Sequence, residues 1–141
     1  MSILERVLSI AALAHEGQLN KAGFPYVLHP IRVMLRLWSP EERILGVLHD
    51  VVEDTRITRD DLRAAGFSET VLEALDSVTR RDGENCEDSM ARAASNRIGR
   101  AVKLADLEDN CDLARIAAPT ERDLARIEKY RRAIAALRTM G

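Results

Sequence analysis

The sequence predicts an all-α domain of seven or eight helices with little or no strand. Three observations carry that prediction. Apolar residues recur at helical spacing along nearly the whole chain, capping signatures mark several helix starts, and glycines and prolines punctuate the breaks between them.

Taken in order, residues 2–18 carry an apolar stripe of Ile3, Val7, Leu8, Ile10, Ala11 and Ala14, and GQLNKAGFPY then interrupts the pattern with two glycines and a proline. His29 precedes Pro30. Proline is favoured at the first helical position, so IRVMLRLW is predicted as a helix with His29 fixed at its entrance. Ser39-Pro40-Glu41-Glu42 reads as a capping box opening the helix that runs to Asp54. Thr58 to Asp61 and Thr120 to Asp123 repeat that logic with Asp for Glu, and Gly66 and Gly83 are predicted stops. The closing stretch, TERDLARIEKYRRAIAALR, offers two readings, a basic nucleic-acid helix or a helix docked on the core over about 120–139. Its stripe of Leu124, Ile127, Ile134 and Leu137, with Glu121, Asp123 and Glu128 offsetting the charge, favours docking.

Composition narrows the function. A chain of 141 residues, 46% hydrophobic, fits one compact domain spanning 1–141 with a real core. A formal charge of -2 supplies no global attraction to nucleic acid or anionic membrane, and one Trp, two Tyr and two Phe make no base-stacking platform. No apolar run approaches the ~20 residues that cross a bilayer, and the first residues lack a basic leader, so a soluble cytoplasmic protein is expected. Cys86 and Cys111 form no CxxC pair, which suits a reducing compartment.

The unusual stretch is LHDVVEDT, residues 48–55. Wound as a helix, ILGVLHDVVED places Ile44, Leu45, Val47, Leu48, Val51 and Val52 on one side and His49, Asp50, Glu53 and Asp54 on the other. Asp50 faces like charges three and four residues on, each pair costing an isolated helix roughly 0.2–0.5 kcal/mol. A solvated face usually mixes signs, whereas this one is acidic, carries an imidazole and calls for a cation from elsewhere. Asp106, in AVKLADLEDN, shares a helical stripe with Lys103 and Asn110 and is bordered by Val102 and Leu113; an acid beside an apolar face is costly to bury unless paired or metal-bound. His29, the adjacent His49-Asp50 pair and Asp106 together make a nitrogen and oxygen donor set with no thiolate, which favours manganese over structural zinc.

The spaced pattern H…HD…D resembles that of the HD-domain metal-dependent phosphohydrolases, an all-helical superfamily. AHEGQLNKAGFPYVLHP (residues 14–30), LHDVVEDT and VKLADLEDN are similar, in that order, to the hydrolase domain of the Rel/Spo proteins and to single-domain small alarmone hydrolases. The similarity runs through most of residues 5–113, and no synthetase or regulatory domain is expected. The resemblance implies a single HD-type helical domain and a Mn²⁺ ion held by His29, His49, Asp50 and Asp106. It implies Glu53 and Asp54 as the catalytic acid pair, and release of pyrophosphate by water from nucleotides carrying a 3′-pyrophosphate, chiefly (p)ppGpp. The implied partner is a small nucleotide, with neither nucleic acid nor membrane, and the oligomeric state is left open.

Softer positions keep two readings each. Lys21, in a Gly-flanked loop, either meets phosphate or is a solvated lysine; Asn110 either contacts the nucleotide or caps its helix end. Tyr26 either braces the loop or lines the pocket, and Lys103 either approaches phosphate or pairs with a nearby acid. His15, in the AH.GQ pattern, reads as a hydrogen-bonded structural histidine rather than a ligand. Departures from the family pattern bear on specificity. Asn20 stands where an arginine that stacks on the purine is common, Leu107-Glu108-Asp109 where Arg-Leu-His is usual, and Leu113 where threonine is frequent. An amide offers neither cation-π contact nor charge, so weaker guanine preference is expected, with (p)ppApp comparable to (p)ppGpp. Two alternatives stand beside the alarmone hydrolase: an HD phosphohydrolase of another nucleotide or phosphorylated cofactor, and a metal-bearing nucleotide-binding module without turnover. The repelling acids Glu53 and Asp54 weigh against the second, because a pure binder does not need them.

Overall fold

The computed structural model describes residues 3–112, 116 and 118–140, with the side chain of Asp54 excepted. Nine helices run through these residues: α1 Ile3–Ala14, α2 Leu28–Leu35, α3 Pro40–Leu48, α4 Val51–Asp54, α5 Arg59–Ala64, α6 Glu69–Val78, α7 Cys86–Ala94, α8 Arg97–Asn110 and α9 Glu121–Met140. Among the described residues the only β-type pairing is an isolated bridge between Leu19 and Pro25. The fold is all-α, as the periodicity predicts.

Local chemistry accounts for most of the boundaries. Ser39 accepts the Glu42 backbone N–H while the Glu42 side chain accepts that of Ser39, and Thr58 and Asp61 make the same reciprocal pair. Thr120 and Asp123 exchange equivalent bonds at the start of α9. Ser68, Asn85 and Asn96 cap α6, α7 and α8 through single side-chain bonds. Gly66 takes φ +98° directly after α5, the left-handed conformation that ends a helix without a Cβ penalty.

Four boundaries differ from expectation. α2 begins at Leu28, so Pro30 is its third residue and His29 its second; first-turn N–H groups have no intrahelical acceptor, so the proline costs nothing there. It ends at Leu35, and Trp38 lies beyond it, exposed. Gly83 does not stop α6, which ends five residues earlier where Thr79 turns extended. There the Arg92 guanidinium takes the carbonyls of Asp76 and Thr79. Finally, the helix expected to run through Asp54 breaks at His49 and Asp50, which divides it into α3 and α4 and raises the helix count.

The main core joins Val7 and Ala11 of α1, Val33 of α2, Leu45 and Leu48 of α3, Leu72 and Leu75 of α6 and Val102 of α8. α2 and α3 meet closely at Gly46, where an added Cβ would lie 2.9 Å from Leu37 Cδ1 and 3.3 Å from Met34 Cα. A second cluster of Leu107, Ile134 and Leu137 seats α9 on α8. Ile127 is also buried, but Leu124, placed in the stripe from sequence, is exposed. α2, α3 and α8 thus come together at the centre, and each brings part of the site.

Candidate metal centre and its cleft

His29 from α2, His49 and Asp50 from the α3–α4 break, and Asp106 from α8 converge in one buried cluster. His29 Nε2 lies 2.9 Å from Asp106 Oδ1 and 3.6 Å from Asp50 Oδ2, and His49 Nε2 lies 3.1 Å from Asp50 Oδ2 and 3.4 Å from Asp106 Oδ1. The break between α3 and α4 explains how neighbours in sequence both contribute. Adjacent residues on an unbroken helix do not face each other. Asp50, at φ -100° and ψ -5°, turns the chain so that both side chains reach the same point. His29, His49 and Asp106 are 2%, 5% and 8% exposed.

Each donor residue has a further hydrogen-bond partner. His49 Nδ1 donates to the Gly46 carbonyl at 2.6 Å, one of the carbonyls left free at the end of α3. His29 Nδ1 donates to Asp109 Oδ2 at 2.6 Å. The Tyr26 hydroxyl donates to Asp50 Oδ2 at 2.6 Å, and Asp106 receives the Asn110 amide at 3.1 Å and the Lys103 ammonium at 3.4 Å. Such outer partners fix ring orientation and tautomer in metal sites.

The electrostatics match a cation site. Burial works against charge on His49, but the carboxylates of Asp50 and Asp106 more than offset it and hold its pKa well above the ordinary imidazole value. His29 is raised likewise against burial by its bonds to Asp106 and Asp109. Burial would raise the Asp106 pKa, yet the His49 charge and the bond from His29 hold it well below the usual carboxylate range. Asp50 is lowered too, against burial, by His49 and Tyr26. The residues fit a divalent ion on a direct structural test: His49 Nε2 is buried and makes no hydrogen bond among the described residues although it points into two carboxylates. Buried polar nitrogens rarely go unpaired, and two imidazoles with two carboxylates are a donor set that first-row divalent ions accept.

His49, Asp50 and Asp106 of the cluster line a cleft of about 300 Å³, and His29 lies behind them. Glu53 lines it and accepts the Arg80 backbone N–H at 2.5 Å, whereas the side chain of Asp54 lies outside the described residues, as does Leu113. Three cations line the same cleft: Lys103, Arg80 from the loop after α6, and Lys129 from α9. Arg80 and Lys129 carry no local signal in the sequence, since their place depends on how the α6–α7 loop and α9 pack. A second cleft, about 270 Å³, adjoins it through the shared residues Asn110 and Tyr130 and is lined by Asn20, Lys21, Tyr26 and Arg126.

Several softer residues take specific roles. Lys21 is half exposed, lines the second cleft, and pairs through its ammonium with Asp123 Oδ1 at 2.9 Å. The Asn20 side-chain oxygen accepts the Ala22 and Phe24 backbone N–H groups and closes the loop. Tyr26 lines the second cleft as well as bracing Asp50, and Lys103 both pairs with an acid and faces the first cleft. His15 is buried with Nδ1 3.0 Å from Gln18 Oε1 and its ring centroid 5.1 Å from that of Tyr26, and its Nε2 has no hydrogen-bond partner among the described residues.

Fold and centre together make an all-helical domain with an adjacent His-Asp pair at its middle. In sequence, the chain is 38% identical over 79 residues to a guanosine-3′,5′-bis(diphosphate) 3′-pyrophosphohydrolase of Borreliella burgdorferi, which covers 53% of this chain and 12% of that protein. It is 33% identical over 97 residues to the bifunctional (p)ppGpp synthase/hydrolase SpoT of Escherichia coli, covering 66% of this chain and 14% of SpoT. The chain therefore spans only a small part of the length of these curated relatives. In structure, it matches a solved protein described as a metazoan ortholog of SpoT that hydrolyzes ppGpp and plays a role in starvation responses. The TM-score is 0.81 over 97% of this chain and 86% of that one, at 23% identity, so the two share a fold. No family model matches the chain. The domain is thus Rel/Spo hydrolase-like in sequence and in fold.

Proposed function

We propose that this domain is a Mn²⁺-dependent phosphohydrolase that removes the 3′-pyrophosphate from an alarmone-type nucleotide such as (p)ppGpp or (p)ppApp. The observation that supports this most is the cluster of two imidazole nitrogens and two carboxylate oxygens, three of whose four residues line a cleft that also carries Arg80, Lys103 and Lys129. The anionic cluster attracts a metal and the cationic side chains attract phosphate. A ligand that brings both is a phosphorylated small molecule.

His29, His49, Asp50 and Asp106 would hold the ion, which when bound supplies Lewis-acid charge for phosphoryl oxygens and acidifies water. Arg80, Lys103 and Lys129 bind and orient the pyrophosphate by charge, which does not depend on the base. Glu53, at the edge of the same cleft, accepts a proton from the attacking water, and Asp54 serves as its partner acid. Water is consumed, pyrophosphate leaves, and the nucleotide keeps a 3′-hydroxyl. The second cleft, with Asn20, Lys21, Tyr26 and Asn110 in its wall, takes the nucleoside.

The test is a panel of nucleotides with and without Mn²⁺. Pyrophosphate release from 3′-pyrophosphorylated nucleotides, stimulated by Mn²⁺ and absent with nucleoside 5′-triphosphates, is expected. Release from 5′-triphosphates instead would favour another phosphohydrolase activity, and tight binding without release would favour a nucleotide-binding module. The relatives named for (p)ppGpp hydrolysis support the first outcome.

A further inference from the structure

The tripeptide Leu107-Glu108-Asp109 departs from the Arg-Leu-His that the family resemblance leads one to expect, and its last member has a specific place in the structure. Asp109 is 1% exposed, and both carboxylate oxygens are engaged. Oδ2 lies 2.6 Å from His29 Nδ1 and Oδ1 lies 2.9 Å from Arg32 Nε. His29 and Arg32 are three residues apart on α2, and Asp106 and Asp109 three apart on α8, so two helix faces meet pair against pair. Asp106 meets the His29 ring at Nε2 while Asp109 meets it at Nδ1. One helix therefore grips the imidazole at both nitrogens.

We propose that Asp109 is a positioning residue of the metal centre: by taking the Nδ1 proton of His29 in a hydrogen bond, it fixes the ring and presents Nε2 to the ion. The proposal rests on the reading of His29 as a ligand. Asp109 is not itself a ligand, because it sits at the nitrogen facing away from Asp50 and Asp106. Nor is it only half of an ion pair with Arg32. The bond to the imidazole is the shorter of the two, and Arg32 serves as the counter-charge that lets a carboxylate remain buried. Carboxylate partners behind metal-bound histidines are a recurrent arrangement, and their loss typically weakens metal affinity about 10–100-fold.

Asp109→Asn separates this role from bulk packing, since the amide keeps the shape but cannot accept from both His29 and Arg32. Mn²⁺ titration of wild type and variant, with far-UV circular dichroism as control, is expected to show affinity falling about 10–100-fold in a folded variant. Turnover should recover at saturating Mn²⁺. Equal Mn²⁺ affinity in the two proteins overturns the proposal. A wild type that binds no Mn²⁺ overturns the metal-centre reading instead, so the two failures are distinct. Should Asp109→Asn fail to fold, ¹⁵N NMR of Zn²⁺-loaded wild type decides: a hydrogen-bonded proton on His29 Nδ1 with Nε2 metal-shifted supports the proposal, and metal on Nδ1 overturns it.

Discussion

Gly46→Ala tests how closely the fold and the centre are tied. Gly46 lies in α3, and its carbonyl holds His49 Nδ1; across from it runs α2, which carries His29. On propensity alone, replacing a helical glycine by alanine gains up to about 1 kcal/mol. The new methyl group, however, would sit 2.9 Å from Leu37 Cδ1, 3.3 Å from Met34 Cα and 3.4 Å from Met34 N. The leucine methyl can rotate away, but Met34 offers backbone atoms inside α2, so the helix itself must shift. Overpacking of this kind costs about 1–3 kcal/mol, which leaves a net loss of about 1 kcal/mol. For a chain of this length that corresponds to a fall in Tm of roughly 3–5 °C. Because the shift separates α2 from α3, the His29–His49 spacing widens and Mn²⁺ affinity falls as well. Thermal unfolding and Mn²⁺ titration of the same variant read both effects. A variant with raised Tm and unchanged Mn²⁺ affinity would instead show that α2 yields to a methyl group without cost.

Gly99→Ala would place a Cβ 2.0 Å from Ser77 Oγ, so it should destabilise by about 1–3 kcal/mol, and Ser77→Ala in the same chain should restore most of that loss in a double-mutant cycle by denaturant unfolding. Glu53→Gln, and separately Asp54→Asn, should lower kcat about 10²–10⁴-fold with Mn²⁺ binding retained, measured by pyrophosphate release and metal titration. Hydrogen bonds from Arg92 hold the Glu84 carboxyl down to about 2, from an ordinary value of 4.5. A folded pKa below the unfolded one contributes stability above the unfolded value that is lost as pH falls between the two, so acid unfolding over that range should be shallower in Glu84→Gln. For the base, kcat/KM for ppApp should equal or exceed that for ppGpp in wild type, and Asn20→Arg should move preference towards guanine; a strongly guanine-selective wild type rejects this.

What the sequence makes legible is what neighbouring residues decide. The capping pairs at Ser39, Thr58 and Thr120 involve residues three apart, and all form where the pattern places them. His29, His49, Asp50 and Asp106 stood out as candidate donors because an adjacent His-Asp pair in a histidine-poor chain is rare, and the structure brings the four together. The break at His49 and Asp50 was not legible, since the apolar periodicity continues through it and the turn follows from contacts with α2 and α8 far along the chain. Asp109 was hidden for a related reason. Its partners on α2 lie 77 and 80 residues away, so from sequence it was visible only as a departure from a pattern. Lys21 depends in the same way on Asp123, 102 residues on, and Arg80 and Lys129 on packing that brings a loop and the last helix to one cleft.

On the proposed function, one centre both holds the metal and supports turnover. The most direct test takes wild type and Asp106→Ala, loads each with Mn²⁺ under identical conditions, and measures bound metal and pyrophosphate release from ppGpp and ppApp in the same samples. Asp106 sits at the meeting point of both histidines, Lys103 and Asn110, so no other single carboxylate is so central to the cluster. The account predicts one Mn²⁺ and Mn²⁺-dependent release in wild type, with both lost in a folded Asp106→Ala. Retention of stoichiometric Mn²⁺ and of near-wild-type release in Asp106→Ala would contradict it.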